Sequence, residues 1–189
     1  EARRTGEFIG RSAELDALGG LIRAADQGAP SIALVSGETG IGKSRLLTEA
    51  AARSDCHLYI GRCVHVGGDP IALAPLIDLV RPPDGHAPKL LDGTSALEAL
   101  AALLRPDPPA ARASHDTGSI FEATLDLVDQ LAGGQATLIA FEDLHWADDL
   151  TWDLFEFLAR NLVDEPVVLI GTHRANETHA HPTQRQRLS

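Results

Sequence analysis

The chain has little that would anchor it, staple it or fasten it to a nucleic acid. Its two cysteines, Cys56 and Cys63, stand without a partner pair or ligand-spaced histidines, so both are read as reduced thiols and a disulfide scaffold is excluded. No apolar run approaches the length of about 18 residues that a membrane span needs. The first residues, Glu1-Ala2-Arg3-Arg4, lack the apolar stretch of a secretion signal. A cytoplasmic protein with no membrane contact is the expectation. Methionine is absent altogether, position 1 included, which fits a piece of a longer polypeptide and equally a removed initiator. A basic surplus is missing too: the net charge is −11, whereas binding to a nucleic-acid backbone relies on clustered Lys and Arg displacing counterions. DNA would be reached only through a domain outside this sequence. What is present, 44% hydrophobic and 23% charged residues, suits one folded domain with a sizeable core.

The most informative stretch is Gly37-Glu38-Thr39-Gly40-Ile41-Gly42-Lys43-Ser44, placed directly after the apolar run Ile32-Ala33-Leu34-Val35 and before a helical pattern. It fits the phosphate-binding pattern G-x-x-x-x-G-K-[ST] with the required strand before it and helix after it. Glycines let the backbone wrap close to a phosphate chain, so that the amides of Gly37, Thr39, Gly40, Ile41 and Gly42 point inward. The following helix, with Arg45 in its first turn, offers its positive end to the same anion. Lys43 would reach the β- and γ-phosphates, and Ser44 would give its hydroxyl to Mg²⁺.

Around that stretch the pattern alternates. Ser12 is expected to cap a helix with Glu14 in its first turn and a stripe of Leu15, Leu18, Leu21 and Ile22, stopped by Gly28-Ala29-Pro30. The helix after the phosphate-binding loop keeps an apolar face to about Arg53. His57-Leu58-Tyr59-Ile60 reads as a strand, Gly67-Gly68 as a turn, and Leu73 to Val80 as a short helix ended by Pro82-Pro83. Ser95-Ala96-Leu97-Glu98 is a capping box for a helix to about Leu104, between Pro-, Gly- and Asp-rich stretches read as mobile loops over 82–93 and 105–118. Phe121, Leu125, Val128 and Leu131 mark a further helix, stopped by Gly133-Gly134. A strand over Ala136 to Phe141, a helix capped by Asp148 or Asp149, and a strand over Pro166 to Gly171 complete the order. The domain is expected over 1–176 with its core over 8–174, and 177–189 as a tail.

Continuously apolar strands alternating with helices predict a parallel sheet covered on both faces, with ligands at the edge formed by the strand C-termini. Every chemical candidate follows a strand there: Ser36-Gly37, Glu142-Asp143 and Thr172-His173-Arg174. The acidic pair suits one carboxylate for Mg²⁺ and its waters and one to polarise the attacking water. Glu142 aligns best with the metal side and Asp143 with the base, and the reverse assignment stays open. Arg174 would lie near the γ-phosphate if its strand adjoins the phosphate-loop strand, against the alternative of a solvated loop arginine. His145 is read as packed beside Trp146, and His173, His179 and His181 have no tight metal spacing. Leu131-Ala132-Gly133-Gly134-Gln135 looks like the signature loop of ABC transporter ATPases but closes a helix instead of opening one, which argues against that family.

Phe8-Ile9-Gly10-Arg11, the loop from Gly37 to Ser44, Glu142-Asp143-Leu144-His145-Trp146-Ala147-Asp148 and Gly171-Thr172-His173-Arg174 together resemble the nucleotide-binding domain of STAND-type signalling ATPases. The resemblance is to the branch found in large LuxR-type transcriptional regulators and in AAA-like modules of bacterial cyclases and kinases. It implies an α/β P-loop NTPase of the ASCE type, a three-layer sandwich with strand order 5-1-4-3-2, binding ATP or ADP with Mg²⁺ and hydrolysing ATP slowly to switch a multidomain protein. It also implies that Gly10 and Arg11 sit near the adenine and that Arg174 touches the γ-phosphate. No N-K-x-D guanine-reading motif occurs. Residues 175–189 hold no apolar run for the fifth strand, and the lid expected next is absent. The phosphate-loop strand is therefore expected as an open edge, through which the chain could pair with a second copy.

Overall fold

Four strands whose apolar residues serve two layers at once set the architecture. The computed structural model describes residues 10–80 and 117–175. The strands are β1 (Ser31–Ser36), β2 (His57–Arg62), β5 (Thr137–Glu142) and β6 (Val167–His173), all parallel, in the order β1-β6-β5-β2. A two-residue antiparallel ladder, β3 (His65–Val66) with β4 (Asp69–Pro70), closes around Gly67-Gly68. The helices are α1 (Ser12–Asp26), α2 (Lys43–Ser54), α3 (Ala74–Val80), α4 (Thr117–Ala132) and α5 (Asp149–Asn161), with a 3-10 turn at Leu144–Trp146.

Successive side chains of a strand point to opposite faces, and the packing follows that period. Leu138, Ala140, Val168 and Ile170 face a core with Leu15, Leu18 and Ile22 of α1 and Leu46, Leu47 and Ala50 of α2. Ile139, Phe141, Val167 and Leu169 face the other core, filled by α3, α4 and α5. The result is the three-layer sandwich with a parallel sheet that the pattern predicts. Its strand order is the expected one for the four strands described, with the phosphate-loop strand beside β6. Gly61 shows how closely the second layer approaches: a methyl group there would overlap the Pro75 backbone of α3.

Several boundaries differ from the sequence reading. Arg11, not Ser12, is the cap residue of α1, and no side chain caps that helix; Ser12 is its first helical residue. Strand β5 runs through Glu142 and β6 through His173, because in-register neighbours extend the ladders past the apolar residues. Helix α4 begins at Thr117, so Thr117 and Gly118, expected in a loop, are helical. Of the two caps open for α5, Asp148 is used: its Oδ1 accepts from the Thr151 N–H at 3.0 Å. Phe8-Ile9, the capping-box helix at 95–104, the remainder of the loops at 82–93 and 105–118, and the tail at 177–189 lie outside the described residues.

Candidate functional site

The loop between β1 and α2 is built by its glycines. Gly40 and Gly42 take φ of +77° and +92°, and Gly42 is the cap of α2, so the turn enters the helix in a left-handed conformation that side chains resist. Helix α2 has no acidic residue in its first turn, in contrast to Glu14 in α1 and Asp149 in α5. Its first amides and the positive end of its dipole therefore face the loop uncompensated. Lys43 is buried, and its Nζ donates back to the carbonyls of Gly37 at 2.8 Å and Glu38 at 3.2 Å. The Gly37 N–H donates to the His173 carbonyl at 3.2 Å, tying the loop to the tip of β6.

The acidic pair sits where β5 leaves the sheet. Glu142 is the last strand residue and only 5% exposed. Its Oε2 meets Arg62 Nε at 3.3 Å, while its Oε1 is buried without a hydrogen-bond partner. Asp143 turns the chain with φ of +60°, and its N–H donates to Thr172 Oγ at 3.0 Å, so the tips of β5 and β6 are joined. One cleft of about 220 Å³ is lined by Thr39, Gly40, Gly42, Lys43, Ser44, Arg45, Glu142, Asp143 and Thr172. The strand tips thus converge on one side of the sheet, as their sequence positions require.

Other site residues predicted from sequence fall around this cleft. Arg11 reaches the loop, its Nη2 donating to the Ile41 carbonyl at 3.0 Å; Gly10, exposed with φ of +93°, precedes it. Gly37 closes against Ile41 at the base of the loop. Arg174 lies with its guanidinium carbon 5.3 Å from the centre of the Trp146 ring, outside the residues that line the cleft. His145 is buried and packs on Trp146, with ring centres 4.9 Å apart, as expected of a structural histidine. Among the described residues no three His, Cys, Asp or Glu side chains form a metal-binding cluster. Burial pushes the Cys63 thiol well above its ordinary range, with the charges of Asp143, Asp148 and Asp78 adding to the shift. Burial raises Cys56 and Tyr59 as well.

The sequence of residues 7–170 matches the AAA ATPase domain. The chain belongs to that family. An uncharacterized protein of Rhizobium meliloti (strain 1021) is 29% identical over 195 residues, covering 91% of this chain and 19% of its own length. The chain therefore spans about a fifth of that relative. Among solved structures, a RuvB variant of Thermotoga maritima has a TM-score of 0.45 at 13% identity, over 94% of this chain and 43% of its own. PCH-2 of C. elegans has a TM-score of 0.44 at 10% identity, over 93% of this chain and 40% of its own. Among the described residues of this AAA ATPase domain, no helix is long and apolar enough to cross a membrane.

Two residues of the AAA ATPase domain were not assigned roles from sequence: Thr172, which lines the cleft, and Arg62, which pairs with Glu142 from outside the lining. Thr172 carries a hydroxyl near the end of an apolar strand, buried to 1% exposure, and that contrast was the available signal. Arg62 becomes legible only once the register is known, because it is the in-register partner of Glu142 on the neighbouring strand.

Proposed function

We propose that the cleft holds the triphosphate of ATP together with Mg²⁺, and that the domain is a slow ATPase switch within a multidomain signalling protein of the STAND type. A LuxR-type transcriptional regulator is the parent favoured by the resemblance of the Asp143-Leu144-His145-Trp146-Ala147-Asp148 string. The observation that carries the nucleotide reading is the convergence of the glycine loop, Lys43, Ser44 and the two acids on one cleft. The loop amides and the start of α2 bind the phosphates. Lys43 exchanges its two loop carbonyls for phosphate oxygens. The residues present fit a magnesium ion: Ser44 supplies a hydroxyl, and Glu142, in the same cleft lining, has a buried oxygen without a hydrogen-bond partner. When bound, the ion offsets the charge on the phosphate oxygens. Asp143 takes a proton from, and orients, the attacking water. Arg174 is assigned to the γ-phosphate, and Gly10 and Arg11 to the adenine end, on the resemblance.

Calorimetry tests this directly. Lys43→Ala should weaken ATP binding by about 1.5–3 kcal/mol, the scale of a hydrogen bond to a charged group. Asp143→Asn should keep binding but slow phosphate release by about 100-fold, the low end of the effect of removing a general base. Asn also tolerates the left-handed backbone at this position. Unchanged affinity in the first variant would remove Lys43 from the site. A second reading, a nucleotide-gated interaction module without turnover, is favoured by β1, which is outermost among the described strands and carries Ile32 and Leu34 at 44% and 43% exposure. Phosphate release per bound nucleotide separates the two: none above background, in the chain alone and in the full-length protein, selects the module.

A further inference from the structure

Glu142 divides its two oxygens between two environments. Glu142 and Arg62 are in-register partners at the ends of β5 and β2, so their side chains leave the sheet on the same face. That face is the one covered by α2, since Leu138 and Ala140 of β5 and Leu58 and Ile60 of β2, which share their parity, pack in the α1–α2 core. Both side chains therefore emerge beside the helix that begins at Lys43-Ser44. A carboxylate only 5% exposed needs a partner, because an isolated buried charge is costly. Lys43 does not supply it, being turned onto the carbonyls of Gly37 and Glu38. Arg62 does, through Nε on Oε2 at 3.3 Å.

The position of Arg62 is fixed from two sides. Its own N–H donates to Asp78 Oδ2 of α3 at 3.1 Å, and the next N–H, of Cys63, donates to the Glu142 carbonyl at 2.9 Å. The Arg62 side chain is half exposed, so it approaches from the solvent rim, whereas Glu142 itself lines the cleft. Its other oxygen, Oε1, is the buried one without a partner.

We propose that Arg62 is a positioning residue for the magnesium-facing acid: by binding Oε2 it holds Glu142 in the rotamer that presents Oε1 to the ion. The inference rests on the nucleotide reading above and deepens it. An arginine serves this purpose because it stays charged and its planar group fixes the direction of its N–H bonds. A carboxylate left to rotate would spend part of its time with both oxygens turned from the cleft. An opposite role is also physically definite. If Arg62 acted only as a competing positive charge, its removal would strengthen metal binding.

The experiment measures the magnesium concentration that half-saturates the gain in ATP affinity, using a fluorescent ATP analogue titrated in EDTA and in rising Mg²⁺. Manganese EPR gives a second, activity-free readout. Relative to the parent chain, Arg62→Ala should raise that concentration by about tenfold, as loss of an outer-shell partner does. Arg62→Gln, which keeps an N–H donor without the charge, should recover most of the loss, to within about threefold of the parent. Arg62→Met keeps the apolar stem and reads the same quantity if Arg62→Ala loses its cooperative melt. A value for Arg62→Ala or Arg62→Met within about twofold of the parent, or below it, overturns the proposal, as does an Arg62→Gln no better than either. A parent chain that binds no ATP in either condition overturns the nucleotide reading instead.

Discussion

The two strands that carry the halves of the site differ sharply in how they are held. Strand β5, which delivers the acids, is buried at all six residues, whereas β1, which delivers the phosphate loop, alternates between intermediate and exposed. Strand β5 has neighbours on both sides; among the described residues β1 has β6 alone. The strand that leads to the acids is thus fixed by packing, and the loop is fixed by a few tethers, chiefly Gly37 to His173 and Arg11 to Ile41. A cleft assembled this way has its acidic wall on a rigid strand and its glycine-loop wall on a less supported one.

The comparison breaks if truncations on the two strands cost the same. Phe141→Ala, at a fully buried position packed at a tilt against Phe155, should destabilise the fold by about 3–5 kcal/mol in urea denaturation. Leu34→Ala should cost about 1 kcal/mol or less, since nearly half of that side chain is already in water. Equal losses would mean that β1 is as well supported as the centre. A smaller effect sharpens the account of the tethers: Arg11→Ala should weaken ATP binding by about 1 kcal/mol, as one lost hydrogen bond does, while leaving the urea midpoint almost unmoved. The smallest effect concerns the thiols. Cys63 has a folded pKa raised above its ordinary 9.0, so the unfolded chain loses that proton first and stability falls as pH rises past that value. Cys63 should account for about 0.4 kcal/mol of the fall between about pH 9 and 9.5, the part that Cys63→Ser removes, with Cys56 adding a further share in the same direction. Iodoacetamide should label the half-buried Cys56 before Cys63.

Most of this arrangement was legible beforehand because each catalytic candidate directly follows an apolar run. The loop Gly37 to Ser44 needs its glycines for backbone reasons, and Glu142-Asp143 breaks an otherwise apolar strand; both signals survive without knowing the fold. The order of strands came from resemblance, since periodicity alone does not say that β6 lies between β1 and β5. Three details were beyond a linear reading. The Arg62–Glu142 pair depends on the register between two strands separated by about two fifths of the chain. The position of Arg174 over Trp146 depends on the 3-10 turn, which places the indole where no hydrophobic period would put it. The cap of α1 fell on Arg11, not Ser12, because the Leu15 N–H bonds to the Arg11 carbonyl and so starts the helix one residue earlier.

The residue-by-residue match of β5 to its neighbours has a consequence for what this sequence can tolerate. Ile139 and Phe141 fill one layer while Leu138 and Ala140 fill the other, and Glu142 continues the second series. Deleting one residue ahead of Leu138 would turn the whole segment over, sending the bulky phenyl ring toward the small alanines of α2 and rotating the acid away from Arg62, its in-register partner. Insertions and deletions within the strand should therefore abolish folding and ligand capture together.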